Sequence, residues 1–128
     1  MTELSRRTVL IAGAAVPLAA CGGANDKIRP ATPPVPGQAL SSTTDIPVGS
    51  GKVVGDTIVT QPTAGQFDAF IARCTHAGCV LPSVSGDTID CPCHGSRFDL
   101  FGAVLRGPAM APLTPVKVAV KGGLIVAE

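Results

Sequence analysis

Two short segments constrain this chain more than anything else in it: CTHAGC at residues 74–79 and CPCHGS at residues 91–96. Together they hold both histidines of the 128-residue sequence and four of its five cysteines. Cys74, His76 and Cys79 lie in the first segment; Cys91, Cys93 and His94 lie in the second. The stretch between them is long enough for a hairpin that brings the second segment back to the first. Six soft donors are too many for one tetrahedral ion and too few for two closed sites. A division into four ligands and two other groups is more natural. A structural zinc site drawn from any four of the six is one such division. Zinc ribbons, however, pair cysteines as C-x-x-C, whereas these pairs read C-x-H and C-x-x-H.

The surroundings of the two segments read as β structure. Fifteen Gly and twelve Pro favour turns and short strands over long helices. A single small domain of this size has a limited apolar core and gains from a covalent or metal staple. Thr57–Thr60 (TIVT) is β-branched throughout, residues 61–66 (QPTAGQ) read as a turn, and residues 67–74 (FDAFIARC) read as a strand. Ser85-Gly86-Asp87 marks a hairpin into Thr88–Asp90. Val116, Val118 and Val120 alternate with polar or small residues, and Gly122-Gly123 turns the chain into LIVA (124–127), which predicts a C-terminal hairpin with one buried face. The expected class is all-β, a small antiparallel barrel or sandwich of short strands, with the two cysteine-histidine segments as loops of a subdomain. A net charge of +1 offers no basic field, so no nucleic-acid partner is expected. With no Trp or Tyr and only four Phe, aromatic stacking platforms are not expected either.

The N-terminal third has a different character. Arg6 and Arg7 precede an apolar run from Val9 to Ala20, too short for the roughly 20 helical residues that span a bilayer. Residues 1–21 therefore read as an export signal. SRRTVLI resembles the twin-arginine signal, which carries proteins already folded with their cofactor. LAAC, ending at Cys21, resembles a bacterial lipobox, which accounts for the fifth cysteine as a lipid-bearing one; an uncleaved signal anchor is the alternative. Residues 22–44 are rich in Pro and Gly and read as a semi-extended linker at roughly 3.1 Å per residue. The remaining residues, 45–128, form the expected domain. These features predict an exported protein at the outer face of the cytoplasmic membrane, attached to it through the N-terminus.

CTHAGC followed by CPCHGS resembles the loop pair of Rieske proteins, in particular the disulfide-containing branch found in cytochrome bc-type complexes. The resemblance implies one 2Fe-2S cluster, with Cys74 and Cys91 on one iron and His76 and His94 on the other. It also implies a disulfide between Cys79 and Cys93, which requires an oxidising compartment. Gly78 and Gly95 would let backbone approach the cluster closely. Gly107-Pro108-Ala109 resembles the family's proline loop, with Pro108 at its centre. Ser96 matches a serine whose hydroxyl bonds a bridging sulfide and raises the potential. At residue 98 quinol-oxidising members carry a tyrosine; here Phe98 has no hydroxyl, which implies a lower potential. Two neutral imidazoles in place of two thiolates leave the oxidised centre less negative, and Rieske potentials fall roughly between −150 and +300 mV. The implied function is one-electron transfer between redox proteins. The alternative is membership of a quinol-cytochrome c reductase or another membrane oxidoreductase, with cytochrome b or c as partner. With both histidines committed, nothing remains for the mononuclear iron site of a Rieske oxygenase. The chain alone is expected to carry electrons, with any oxidoreductase activity belonging to a complex.

Overall fold

A computed structural model describes residues 28–128. Residues 1–21, read above as an export signal ending at Cys21, and the first part of the stretch read as linker lie outside the described residues. Within them the chain forms ten short strands: β1 (Ala39–Ser42), β2 (Ser50–Val54), β3 (Thr57–Thr63), β4 (Gln66–Ile71), β5 (Thr88–Asp90), β6 (Arg97–Asp99), β7 (Val104–Arg106), β8 (Pro115–Val116), β9 (Val118–Lys121) and β10 (Leu124–Ala127). The one helical element among the described residues is a 3-10 turn at Thr43–Asp45, capped by the Ser42 hydroxyl, which accepts from the Thr44 amide. All strand pairings are antiparallel, so the all-β expectation holds.

The strands form three sheets, in the orders β1-β10-β9, β2-β3-β4-β8 and β5-β6-β7. The second of these has a core on each side. Successive side chains of a strand point to opposite faces, and residues 57–61 of β3 are all buried. Val59 and Ala69 pack with Leu40, Ile46 and Ile125, joining this sheet to β1-β10-β9. Ile58 and Phe70 pack instead with Cys74, Cys79, Leu81, Ile89, Cys91 and Phe98, joining it to the cysteine-bearing subdomain. Buried polar groups on β3 are bonded across both cores, as burial requires. The Thr60 hydroxyl donates to the Leu100 carbonyl (2.8 Å), and the Gln61 side-chain amide donates to the Ile46 carbonyl (2.6 Å).

Three sequence expectations change here. QPTAGQ is not a turn throughout: β3 continues to Thr63 and the reversal is confined to Ala64-Gly65. Gln61 can stay in the strand because its side chain also accepts from the Gly65 amide, closing the turn itself. Val116, Val118 and Val120 do not share one strand. The chain changes sheets at Lys117: Val116 pairs with Ala69 on β4, while Val118 pairs with Ala127 on β10. Val120 is consequently exposed, and the buried face of the terminal hairpin is carried by Ile125 and Ala127. The predicted turn is present, with positive φ at both Gly122 and Gly123. Lastly, the stretch read as linker (22–44) contains β1, whose Ala39 pairs with Val126, and the folded unit therefore begins before residue 45. Upstream of β1, Arg29 and Thr32 are bonded to Asp56.

Candidate metal centre

The two cysteine-histidine segments fold into loops with the same backbone frame. In the first, the Cys74 amide donates to the Cys79 carbonyl and the Gly78 amide donates to the Cys74 carbonyl, both at 2.8 Å. In the second, the Cys91 amide donates to the Ser96 carbonyl (2.7 Å) and the Gly95 amide donates to the Cys91 carbonyl (3.2 Å). Each loop thus starts at a cysteine, reverses at a glycine four residues on and closes at the fifth. The reversing glycines have φ of 75° at Gly78 and 83° at Gly95, a left-handed conformation that side chains disfavour. The histidine falls at the second position after the cysteine in one loop and at the third in the other.

This frame sorts the donors by depth. Cys74 and Cys91 are free and buried, whereas His76 and His94 are exposed. The two imidazoles face each other, with ring centroids 5.0 Å apart and planes at 87°. Cys79 and Cys93 are joined in a disulfide, the pairing that the resemblance implied. The sulfurs of Cys79, Cys91 and Cys93 lie within 4.8 Å of one another. Two of them are consumed by that bond, so this trio is not a set of thiolate ligands. Burial pushes the Cys91 thiol above its ordinary pKa; the Cys93 amide bonded to it acts in the opposite sense, the neighbouring Cys74 thiol raises it further and the His94 amide lowers it. Two adjacent buried thiols with backbone amides aimed at one of them would take up a cation by exchanging it for protons.

A third loop covers the first two. The Ala109 amide donates to the Ser96 hydroxyl oxygen (3.0 Å), and both residues are buried. Accepting that bond leaves the Ser96 hydroxyl its own hydrogen to donate. On the other side, the Thr75 hydroxyl donates to the Ala111 carbonyl (2.6 Å). Residues 107–112 are therefore pinned to both cysteine-histidine loops. Pro108, which follows a cis peptide bond, is exposed, and so is Met110 between the two pinned residues. Sequence reasoning singled out Ser96 and Pro108 but missed Thr75. The signal was a hydroxyl placed between a cysteine and a histidine of one motif. Phe98 has no solvent exposure. It lies two residues beyond Ser96, on the same buried face, and pairs with Ile89 on β5.

Two buried thiols and two exposed imidazoles, on loops tied by a disulfide, offer a mixed sulfur–nitrogen donor set. Such a donor set fits a 2Fe-2S cluster, which Cys74 and Cys91 would hold through thiolates and His76 and His94 through imidazoles. Comparison with known proteins gives the family. The Rieske [2Fe-2S] domain profile matches residues 38–119, and the chain belongs to that family, whose cofactor is one 2Fe-2S cluster. The cytochrome b6-f complex iron-sulfur subunit of Chlorobaculum tepidum is 35% identical over 92 residues, covering 69% of this chain and 51% of that protein. The corresponding subunit 2 of Nostoc sp. is 44% identical over 72 residues, covering 54% of this chain and 40% of that one. This chain thus spans about half the length, or less, of these curated relatives. Among solved structures, the plasma membrane Rieske protein PetC3 from Synechocystis PCC 6803 superposes with a TM-score of 0.56 at 25% identity, covering 70% of this chain and 97% of that one. A ferredoxin from Sphingomonas yanoikuyae B1 shares the fold, with a TM-score of 0.59 at 23% identity over 72% of this chain and 97% of that one.

Proposed function

We propose that this protein is a one-electron carrier of the outer face of the cytoplasmic membrane, with Cys74 and Cys91 holding one iron of its cluster and His76 and His94 the other. The observation that carries this reading is the depth ordering of the donors, thiols buried and imidazoles exposed, across two loops tied by a disulfide. When bound, the cluster supplies one reversible electron at a potential raised by its imidazole ligands. The protein's own residues do the rest. His76 and His94 form the surface through which a partner is reached. Cys74 and Cys91 anchor the group in the core that also contains Ile58 and Phe70. Ser96 and Thr75 hold the third loop in place over both motifs.

The disulfide supports an oxidising compartment. The twin-arginine and lipobox-like residues agree with it, and Cys21 is the residue we assign to lipid attachment. PetC3, of which the chain covers 97%, is described as a plasma membrane Rieske protein. The curated relatives favour a second assembly, in which this chain is the iron-sulfur subunit of a cytochrome bc-type or b6-f-type complex. Electron paramagnetic resonance of the dithionite-reduced protein tests the cluster: a silent spectrum from metal-replete protein defeats it and leaves a zinc module. Purification from native membranes tests the assembly. A cytochrome b that co-purifies assigns the chain to a complex, and isolation without one assigns it to the independent carrier.

A further inference from the structure

The segment leading into β1 is held by two side chains of the folded domain. Arg73 immediately precedes Cys74, and its guanidinium is almost wholly engaged. Its Nε donates to the Arg29 carbonyl (2.7 Å), one Nη to the Ala72 carbonyl (2.7 Å) and the other Nη to the Pro30 carbonyl (3.3 Å). That last nitrogen also pairs with Asp56 Oδ1 at 3.0 Å. Asp56 in turn accepts the Thr32 amide on Oδ2 (2.9 Å) and pairs with the Arg29 guanidinium (3.0 Å). Both Asp56 and Arg73 are largely shielded, at 10% side-chain exposure each. Two consecutive carbonyls, one amide and one guanidinium of the arm are therefore bound by one shielded acid–base pair. Ile28, at the start of the described arm, has its Cγ2 3.9 Å from where a Gly78 side chain would begin. The arm thus reaches the reversal of the first cysteine-histidine loop.

We infer that Asp56 and Arg73 form a latch for residues 29–34, an intramolecular binding site that holds the N-terminal arm against the base of the first cysteine-histidine loop. The arm contains Pro30, Pro33 and Pro34, so few of its own amides could bond within it. It is stiff and lacks internal hydrogen bonds, and what fixes it must come from outside. The latch supplies charge-assisted bonds, which are the strong kind. With the latch closed, the domain is held close to whatever its N-terminus is attached to. With the latch open, six residues join the tether and add about 19 Å of reach at polyproline rise. Salt screens mainly the exposed Arg29 guanidinium of this network, and the shielded Asp56–Arg73 pair much less. The latch involves no cluster atom and stands apart from the electron-transfer reading.

Hydrogen exchange by mass spectrometry on the full-length, cluster-loaded protein tests it. The three prolines leave Thr32 as the principal bonded amide of the arm, so a peptide spanning residues 28–34 reports on it directly. Thr32 should exchange at least tenfold more slowly than in a free peptide of the same sequence. Asp56→Ala should remove that protection while peptides from β3 and β4 keep theirs. Arg29→Gln, at an exposed position, keeps the reporter amide and should give a smaller acceleration even if Asp56→Ala fails to fold. Exchange at the free-peptide rate in the wild type overturns the latch. So does protection that neither substitution alters.

Discussion

Replacing Phe98 with tyrosine adds one hydroxyl at a position with no access to solvent, in the same core as Cys74 and Cys91. A buried hydroxyl must find a partner or cost about 1–3 kcal/mol of stability. Ser96 and Phe98 project to the same buried face of the chain entering β6, and the sulfurs lie in the core on that side. If the new hydroxyl donates to a ligand sulfur, the bond strengthens when the centre takes an electron and becomes more negative. A hydrogen bond to a charged group is worth about 1.5–3 kcal/mol. If the part that differs between oxidation states is about 1.4 kcal/mol, a one-electron couple moves by about 59 mV. The sign follows because the bond favours the reduced form, so the potential rises. Phe98→Tyr should therefore raise the midpoint in protein-film voltammetry by about 60 mV with little change in the urea midpoint. A potential that stays put or falls, in a variant that keeps the reduced-state resonance, refutes the reasoning. A large loss of stability with no potential shift would show that the hydroxyl is buried without a partner.

Other substitutions probe the scaffold of the site. Ser96→Ala removes the acceptor of the buried Ala109 amide and should destabilise the protein by about 1–3 kcal/mol in urea titration. It should also make the 107–112 loop more susceptible to proteolysis and lower the potential. The double variant Cys79→Ala/Cys93→Ala opens a covalent loop of sequence separation 14. By loop-closure entropy it should lose about 3 kcal/mol and release iron to a chelator faster than the oxidised wild type.

Much of the site was legible because its chemistry is local in sequence. Each motif carries its donors within six residues, and its reversing glycine sits where a left-handed turn is needed. The pairing of Cys79 with Cys93 came from resemblance, since spacing alone allows other pairings. The terminal hairpin was legible from its Gly-Gly turn, but the change of sheet at Lys117 was not. Alternation continues unbroken through Val116, Val118 and Val120 while the strand's partner changes. The arm was misread for a different reason. A Pro-rich segment with no hydrophobic period carries no sign of docking, because what holds it is Asp56 and Arg73, 24 residues and more away in sequence. Thr75 and Ala111 have the same character: a single hydroxyl meets a carbonyl 36 residues on.

The double-sided burial of β3 separates two engineering problems that small redox domains usually combine. Val59 and Ala69 face away from the cysteines, toward Leu40, Ile46 and Ile125. Repacking that side offers a route to greater thermal tolerance with the redox potential left alone. Ile58 and Phe70, one residue along on neighbouring strands, share a core with Cys74 and Cys91. A volume change there would be transmitted to the electron-carrying loops. One strand thus acts as a partition, and the parity of a residue number along it tells a designer which of the two properties a substitution will alter.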